Sequence, residues 1–345
     1  MKLPVRDLAH VLIHTASVWK HLEGARIFVT GGTGFFGCWL VETFAYACDQ
    51  LHTNASMTVL SRSPEAFRAK VPHLAAHQAI HLIEGNVRSF AFPRDRFTHV
   101  IHGATSASAE VNRTQPLEML DTIIDGTRRT LDFAVATGAQ RFLLLSSGAV
   151  YDEALDPSAA YAEGKRVAEL LCAIYSRAHS LACPIARCFA FVGPHLPLDA
   201  HFAIGNFVRD CLHARPIEIR GDGTPYRSYL YAADLAIWLW TILVHGASCQ
   251  PYNTGSEHAV TIAELAAMVA AVIRPGTEIR IALAPRPDLP AERYVPDTGR
   301  TRKELGLREY IPLEDAIRRT AAWHRPVRLV PRLIPPRPFY GEAQA

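Results

Sequence analysis

Short apolar runs alternate with helix-length amphipathic stretches over roughly the first 190 residues of this chain. RIFVT (26–30), MTVLS (57–61), IHLIEG (80–85), THVIHG (98–103), RFLLLSS (141–147) and CPIARCF (183–189) have the length and apolar character of buried strands. Between them, FFGCWLVETFAYA, a stretch from about Pro116 to Thr137 and another around 158–180 have helical length and spacing. Buried strands separated by helices predict parallel βαβ units with helices on both faces, a doubly wound α/β sheet. Ahead of the first strand, Leu8, Val11 and Leu12, then Val18, Trp19 and Leu22, predict an amphipathic N-terminal helix.

The alternation fades after about residue 190, where Pro194, Pro197, Pro216 and Pro225 punctuate mixed elements and predict a smaller, irregular second lobe. YLYAADLAIWLWTIL (229–243) reads as a strand turning into a strongly apolar helix that rejoins the first lobe. The expected organisation is a helical extension (1–22), a main domain (23–190 plus about 229–257), a smaller mixed α/β C-terminal lobe (191–228 plus 258–325), and a weakly structured Pro- and Arg-rich tail (326–345).

Composition adds mainly exclusions. Apolar residues make up 49% and charged residues 20%, as in an ordinary soluble domain, and a net charge of +3 is too small to argue for a nucleic-acid or anionic-membrane partner. The N-terminus is too polar for a signal peptide, and no apolar run reaches bilayer length. The seven cysteines form no CxxC pair and read as buried thiols, and the sixteen histidines form no cluster with ligand spacing, so no metal is expected. The expected location is cytoplasmic.

Chemistry enters at TGGTGFFG (30–37), which follows a strand and opens a helix. Gly31 permits a tight turn, Gly34 lets the backbone approach a pyrophosphate, and Gly37 lets the helix pack on the sheet. The phosphates sit on amides at the helix N-terminus. With Thr33, Phe35 and Phe36 this turn forms the candidate dinucleotide site of a Rossmann-type fold, and the first lobe becomes a dinucleotide-binding domain beside a substrate lobe. The second strand ends in Leu60-Ser61-Arg62-Ser63 with no acid for the ribose hydroxyls. A hydroxyl followed by arginine suits a 2′-phosphate, so the expected cofactor is NAD or NADP, with NADP slightly favoured; Arg62 stacking on adenine or facing solvent is the alternative. Asn86 and Val87, after the third strand, are candidates for the adenine edge.

Tyr161-Ala162-Glu163-Gly164-Lys165 places Tyr and Lys four apart on one helix face. A nearby ammonium favours phenolate, which predicts that Lys165 lowers the pKa of Tyr161 toward that of a working general base. Lys165 can also hold the nicotinamide ribose. Ser147, at a strand end, is placed to hydrogen-bond the same substrate hydroxyl, with Ser146 as its alternative.

Strand–TGGTGFFG–helix, SSGAVY (146–151) and YAEGKR (161–166) resemble the extended short-chain dehydrogenase/reductase family of nucleotide-sugar epimerases, dehydratases and decarboxylases. ARCFAFVGP (186–194), GNFVRDCLHARPIEIRGDGTPYRSYLYAADLA (205–236), YNTGSEHAVTIAELA (252–266) and PDTGRTRKELGL (296–307) carry the likeness to about residue 325. UDP-glucuronate decarboxylases are among the relatives it resembles, through EGKR and RGDGTPYRSYLY. The resemblance implies a nucleotide-diphosphate sugar as substrate, contacts from Asn206 and Arg227 to nucleotide and diphosphate, Arg293 as a further phosphate contact, and a homodimer built on the helices around 116–137 and 158–180.

The sequence also departs from the family. Gly148 and Ala149 stand where decarboxylases and dehydratases carry an acid, Ile123 and Ala190 stand where asparagines are usual, and only about ten residues separate Tyr151 from Tyr161. The expectation is therefore epimerase-like oxidoreduction at a sugar carbon, with Tyr161 as base. An NADPH-dependent keto-sugar reductase, a decarboxylase or dehydratase drawing its acid from Glu153 or Glu163, and a non-catalytic dinucleotide-binding regulator are the alternatives.

Overall fold

The chain, in a computed structural model, is described over residues 1–105, 109–152, 157–200, 202–286, 288 and 290–325. The predicted strands appear as β1 (Arg26–Thr30), β2 (Ser56–Ser61), β3 (Ile80–Glu84), β4 (His99–His102), β5 (Arg141–Ser147) and β6 (Ile185–Cys188). Eight further strands follow: β7 (Phe191–Val192), β8 (Ile217–Ile219), β9 (Tyr226–Arg227), β10 (Leu230–Tyr231), β11 (Pro251–Thr254), β12 (Val260–Thr261), β13 (Ile279–Ile281) and β14 (Arg293–Tyr294). The helices are α1 (Val5–His14), α2 (Ala16–His21), α3 (Phe35–Leu51), α4 (Pro64–Lys70), α5 (Pro72–Ala75), α6 (Ala109–Thr114) and α7 (Pro116–Thr137). After these come α8 (Ala160–His179), α9 (Ala203–Leu212), α10 (Ala232–His245), α11 (Ile262–Ile273), α12 (Gly299–Leu305) and α13 (Leu313–His324).

Seven strands form one parallel sheet in the order β11-β6-β5-β4-β1-β2-β3, the doubly wound Rossmann-type arrangement. The chain reverses its direction of winding between β1 and β4, so the crevice for a ligand opens beyond the carboxyl ends of those two strands. The remaining strands form three small ribbons, β10-β7, β12-β9-β14 and β13-β8. On one face of the main sheet, Phe28 packs against Phe90, Phe97 and Phe133 with ring centroids 4.2–5.5 Å apart. On the other face Trp19 and Phe44 lie against Trp240, and α10 is buried from Ala232 to Leu243, which explains its near-continuous apolar sequence. No helix of the described residues is long and apolar enough to cross a membrane, and their seven cysteines are free, with Cys249 half-buried and the other six buried.

The N-terminal segment differs from the single helix predicted for it. Thr15, at φ −118 and ψ 18, breaks it into α1 and α2, and its hydroxyl donates to the Val11 carbonyl at 2.6 Å while accepting from Trp19 Nε1 at 2.8 Å. Both helices join the main core through Leu8, Val11, Val18, Trp19 and Leu22. Two buried carboxylates fasten α1 there. Asp7 accepts from Tyr231 Oη at 2.7 Å and Arg319 at 2.5 Å; Asp234 lies 3.1 Å from His10 Nε2 and accepts the backbone N–H groups of Tyr310 and Ile311 at 2.9 Å each. Removing one member of a buried ionic network strands the others. Asp7→Ala is expected to lower unfolding stability by roughly 3 kcal/mol, read as a shift of the denaturant midpoint; a loss below about 0.5 kcal/mol, the range of a neutral surface change, would show that the network is not a stabilising element.

Candidate active site

The glycine turn leaves β1 at Thr30 and enters α3 with no room for side chains on its inner side. Gly31 has φ +75, and a Cβ there would stand 2.5 Å from the carbonyl carbon of Gly103, in the loop leaving β4. A Cβ on Gly37 would stand 2.3 Å from the Gly31 oxygen. At Gly34, which precedes α3, a Cβ would meet only the Gly31 oxygen at 3.5 Å, so the turn is packed from behind and open in front. This cradle at the sheet's switch point fits a dinucleotide pyrophosphate. Thr33 offers its carbonyl to Lys70 Nζ at 3.2 Å and to Cys38 Sγ at 3.6 Å. Phe35 and Phe36 lie 5.5 Å apart, and Phe36 packs edge-on against Phe191 of β7. Ser61 is buried and accepts the Ser63 N–H at 3.1 Å, while Arg62 is exposed. Asn86 caps its own turn by accepting the Arg88 N–H, and Val87 is buried beneath Gly126.

Ser147 ends β5, beside the crevice, and its Oγ accepts the Ala149 N–H at 3.1 Å. Tyr161 and Lys165 rise from the first turns of α8 on one face, and the Tyr161 N–H is anchored on Asn112 Oδ1 at 3.0 Å. The Ser147 hydroxyl lies near enough to the Tyr161 phenol to favour its ionised form, and Lys165 Nζ lies 5.8 Å from the Tyr161 ring centroid, so the three residues read from the sequence fall in one region. Their electrostatics differ from the expectation. Burial pushes the Tyr161 phenol above its usual range, and Ser147 offsets this only in part. Lys165 does not lower it, because its ammonium donates to the Leu145 carbonyl at 2.8 Å and stands 5.8 Å from the Tyr161 ring centroid. Burial in turn lowers Lys165 to about 8. Below the two, His102 bridges Thr30 Oγ1 (2.8 Å) and Thr127 Oγ1 (3.1 Å), and burial lowers it to about 3, so it stays neutral.

A further residue, absent from the sequence reading, enters this cluster. Tyr294 on β14 lies near Ser147 and close enough to Tyr161 for their charges to interact, and burial raises its pKa. Its ring packs 4.9 Å from Phe189. No local motif marks it; β14 reaches the site only by pairing with β9, with Tyr294 opposite Arg227.

The same pairing separates two of the predicted substrate contacts. Residues opposite each other share a face of the ribbon and neighbours alternate. Arg227 therefore sits with Tyr294, its guanidinium 6.0 Å from that ring and bound to Glu292, whereas Arg293 lies on the other face over Tyr226 at 5.4 Å. Asn206, in the first turn of α9, accepts from Arg209 at 3.1 Å.

The sequence departures have packing reasons. A Cβ on Gly148 would fall 2.7 Å from the Phe189 ring, so a side chain there requires that ring to shift. Ile123 fills the space against Gly164 of α8, where a Cβ would meet it at 3.0 Å. Glu163 is held by Arg166, whose Nε binds the Val150 carbonyl, and Glu153 lies outside the described residues. Among the described residues, no group of His, Cys, Asp and Glu side chains could hold a metal ion.

Fold and site together define a dinucleotide-dependent enzyme with a tyrosine–lysine pair at the switch point. Residues 27–255 match the model of the NAD dependent epimerase/dehydratase family, and the chain belongs to that family. It is 31% identical over 312 residues to UDP-glucuronic acid decarboxylase 6 of Arabidopsis thaliana, covering 84% of this chain and 87% of that one. Its fold is similar to that of the UDP-glucose 4-epimerase of Thermotoga maritima (TM-score 0.72, 19% identity, 87% of this chain and 98% of that one). It is also similar to dTDP-glucose 4,6-dehydratase of Streptomyces venezuelae, solved with NAD bound (TM-score 0.75, 24% identity, 87% and 97%).

Burial of Lys165 has a measurable cost. The unfolded chain holds this lysine near 10.5 and the folded chain near 8. Between these values the unfolded state binds the extra proton, so the contribution of Lys165 to stability rises with pH from about 8 to 10.5, and the penalty is complete below pH 8. Lys165→Met is expected to stabilise the protein by ~1–3 kcal/mol at pH 7 and to remove that rise. Denaturant titrations at pH 7 and 10 check both; destabilisation at pH 7 would show that the Leu145 hydrogen bond outweighs desolvation.

Proposed function

We propose that this enzyme oxidises and re-reduces a hydroxyl-bearing carbon of a nucleotide-diphosphate sugar, with epimerase-like chemistry. The convergence of the Tyr161, Ser147 and Tyr294 hydroxyls, in a pocket where Gly148 and Ala149 supply no acid, carries the reading. Tyr161 takes the proton of the sugar hydroxyl as oxidation begins and returns it on reduction. Ser147 orients the oxygen through its own hydrogen bond. Tyr294, kept protonated by burial, donates a hydrogen bond to the developing carbonyl or alkoxide oxygen. Lys165, with one ammonium donor on the Leu145 carbonyl, keeps two for the nicotinamide ribose. The dinucleotide, when bound, supplies the hydride acceptor and donor, and the positive charge of its oxidised ring pulls Tyr161 back toward phenolate. Arg227, beside Tyr294, suits the diphosphate by its forked donors, with Asn206 and Arg293 as further contacts.

Two observations favour other readings. The curated relatives are named as UDP-glucuronic acid decarboxylases, which favours loss of carbon dioxide as a second reading. Ser61 and Arg62 favour NADP, the cofactor that usually serves net reduction of a keto sugar. Homodimer formation is supported by exposed Leu117 on α7 and by Leu170 and Ile174, one turn apart on α8.

The deciding experiment incubates the protein with NAD or NADP and, separately, UDP-glucose, UDP-glucuronic acid or dTDP-glucose, with products followed by proton NMR. The expected product is a sugar epimer with no net change of dinucleotide. Carbon dioxide from UDP-glucuronic acid would establish decarboxylation instead, and stoichiometric consumption of NADPH with a keto sugar would establish the reductase. Tyr161→Phe is expected to lower turnover by about 10²–10⁴-fold with UDP affinity unchanged. Leu170→Glu is expected to convert a dimer to monomer by light scattering; an unchanged mass would remove α8 from the interface.

A further inference from the structure

The cysteines fall into two groups. Cys38, Cys48, Cys188 and Cys211 lie in the core that α3 and α10 build, whereas Cys172, Cys183 and Cys249 lie together in the core of the other face, with α7 and α8. Cys183 and Cys249 stand two residues ahead of Ile185 and Pro251, which pair β6 with β11, and the Cys249 N–H donates to the Cys183 carbonyl at 2.8 Å. Adjacent strands stand about 4.8 Å apart, within the Cα separation of roughly 4.4–6.8 Å that a disulfide spans. Cys249 Sγ also lies 4.0 Å from the Cys172 carbonyl of α8, and the Cys172 thiol is close enough to both other thiols to interact with them. One hydroxyl holds the group together from outside. The exposed Ser248 Oγ accepts the Cys183 N–H at 3.0 Å, lies 2.7 Å from Ser176 Oγ on α8, and stands 3.6 Å from Cys249 Sγ.

Packing accounts for Cys172 and Cys183, since a buried thiol acts as a small apolar group. It does not account for Cys249, which is half-buried and has φ +59, a conformation ordinarily left to glycine. Among the described residues no group of cysteines could hold a metal ion, which leaves chemistry between the sulfurs themselves. We propose that Cys249 and Cys183 form an oxidisable pair, in which Cys249 meets hydrogen peroxide from solvent and Cys183 closes a disulfide on it. The Cys249 thiolate attacks one peroxide oxygen, the O–O bond breaks, and the other oxygen leaves as water, so that Cys249 becomes a sulfenic acid. The Cys183 sulfur then attacks the Cys249 sulfur, the S–O bond breaks, and hydroxide leaves as a second water with the Cys183 proton. Two thiols lose two electrons and one peroxide gains them. Burial raises Cys172 well above the usual thiol range, so it stays protonated and is the poorer nucleophile beside this pair.

The test treats the reduced, folded full chain with a slight molar excess of hydrogen peroxide, blocks the remaining thiols by alkylation, and maps the peptides by mass spectrometry without reductant. The expected result is the loss of two hydrogens from the intact mass, one peptide pair joined through Cys249 and Cys183, and full reversal by dithiothreitol. Cys249→Ser is expected to abolish the change. Cys183→Ala is expected to leave Cys249 as a sulfenic acid that dimedone traps, and the map of the unsubstituted chain decides the matter should that variant fail to fold. An unchanged mass would overturn the proposal, as would a disulfide from Cys249 to Cys172. So would sulfinic acid at Cys249 with the Cys183 thiol intact, or a disulfide that forms in Cys249→Ser.

Discussion

The rest of the site depends on a three-way backbone contact. Gly31, Gly37 and Gly103 bring the exit of β1, the first turn of α3 and the exit of β4 closer than any side chain permits. A methyl group at Gly31 or Gly37 would have to displace backbone rather than a flexible side chain, and packed backbone does not yield cheaply. That contact fixes where α3 begins, and hence where its free amides point. It also fixes how far the β4 exit stands from the glycine turn, the width of the crevice between them. Ser147 and α8 are referred to this edge through the β4–β5 pairing. The dinucleotide cradle and the tyrosine–lysine pair are thus parts of one construction.

What the sequence made legible follows from which interactions are local. The six predicted strands and the helices between them could be read because burial on both faces leaves an unbroken apolar run, and because the glycine turn must be contiguous. Tyr161 and Lys165 were legible for the same reason, as one helix face. Thr15 was not read as a break, because α1 and α2 carry apolar positions on both sides of it and the interruption lies in side-chain hydrogen bonding. Tyr294 was invisible because it reaches the site by a tertiary route, the strand pairing of β14 with β9. Spacing puts Tyr161 and Lys165 on a shared face without specifying where the ammonium points, and the Leu145 carbonyl claims it.

The pocket trades carboxylates for phenols. Phe189 closes the space at Gly148, and Tyr294 packs on Phe189 near Ser147. A carboxylate so deeply buried would need a cation beside it to remain ionised, whereas a phenol remains neutral and serves as donor without one. Such a lining suits chemistry in which a proton is lent and returned. It is less suited to expelling a leaving group that must be protonated on departure. The buried Lys165 is the complementary expense, an ammonium kept out of water on the Leu145 carbonyl.

The attachment of α1 has a consequence for how the chain comes into being. Asp7 finds Tyr231 across 224 positions and Arg319 across 312. During synthesis the first two helices emerge first, with Leu8, Val11 and Trp19 lacking the surface they will cover. Phe44 of α3 reaches Trp19 early, but the Asp7 partners Tyr231 and Arg319 arrive only when nearly the whole described chain has left the ribosome. Contacts of such sequence separation form late and slowly. The first helices can therefore rest on α3 early, while the ionic fastening through Asp7 has to wait for the far end of the described chain.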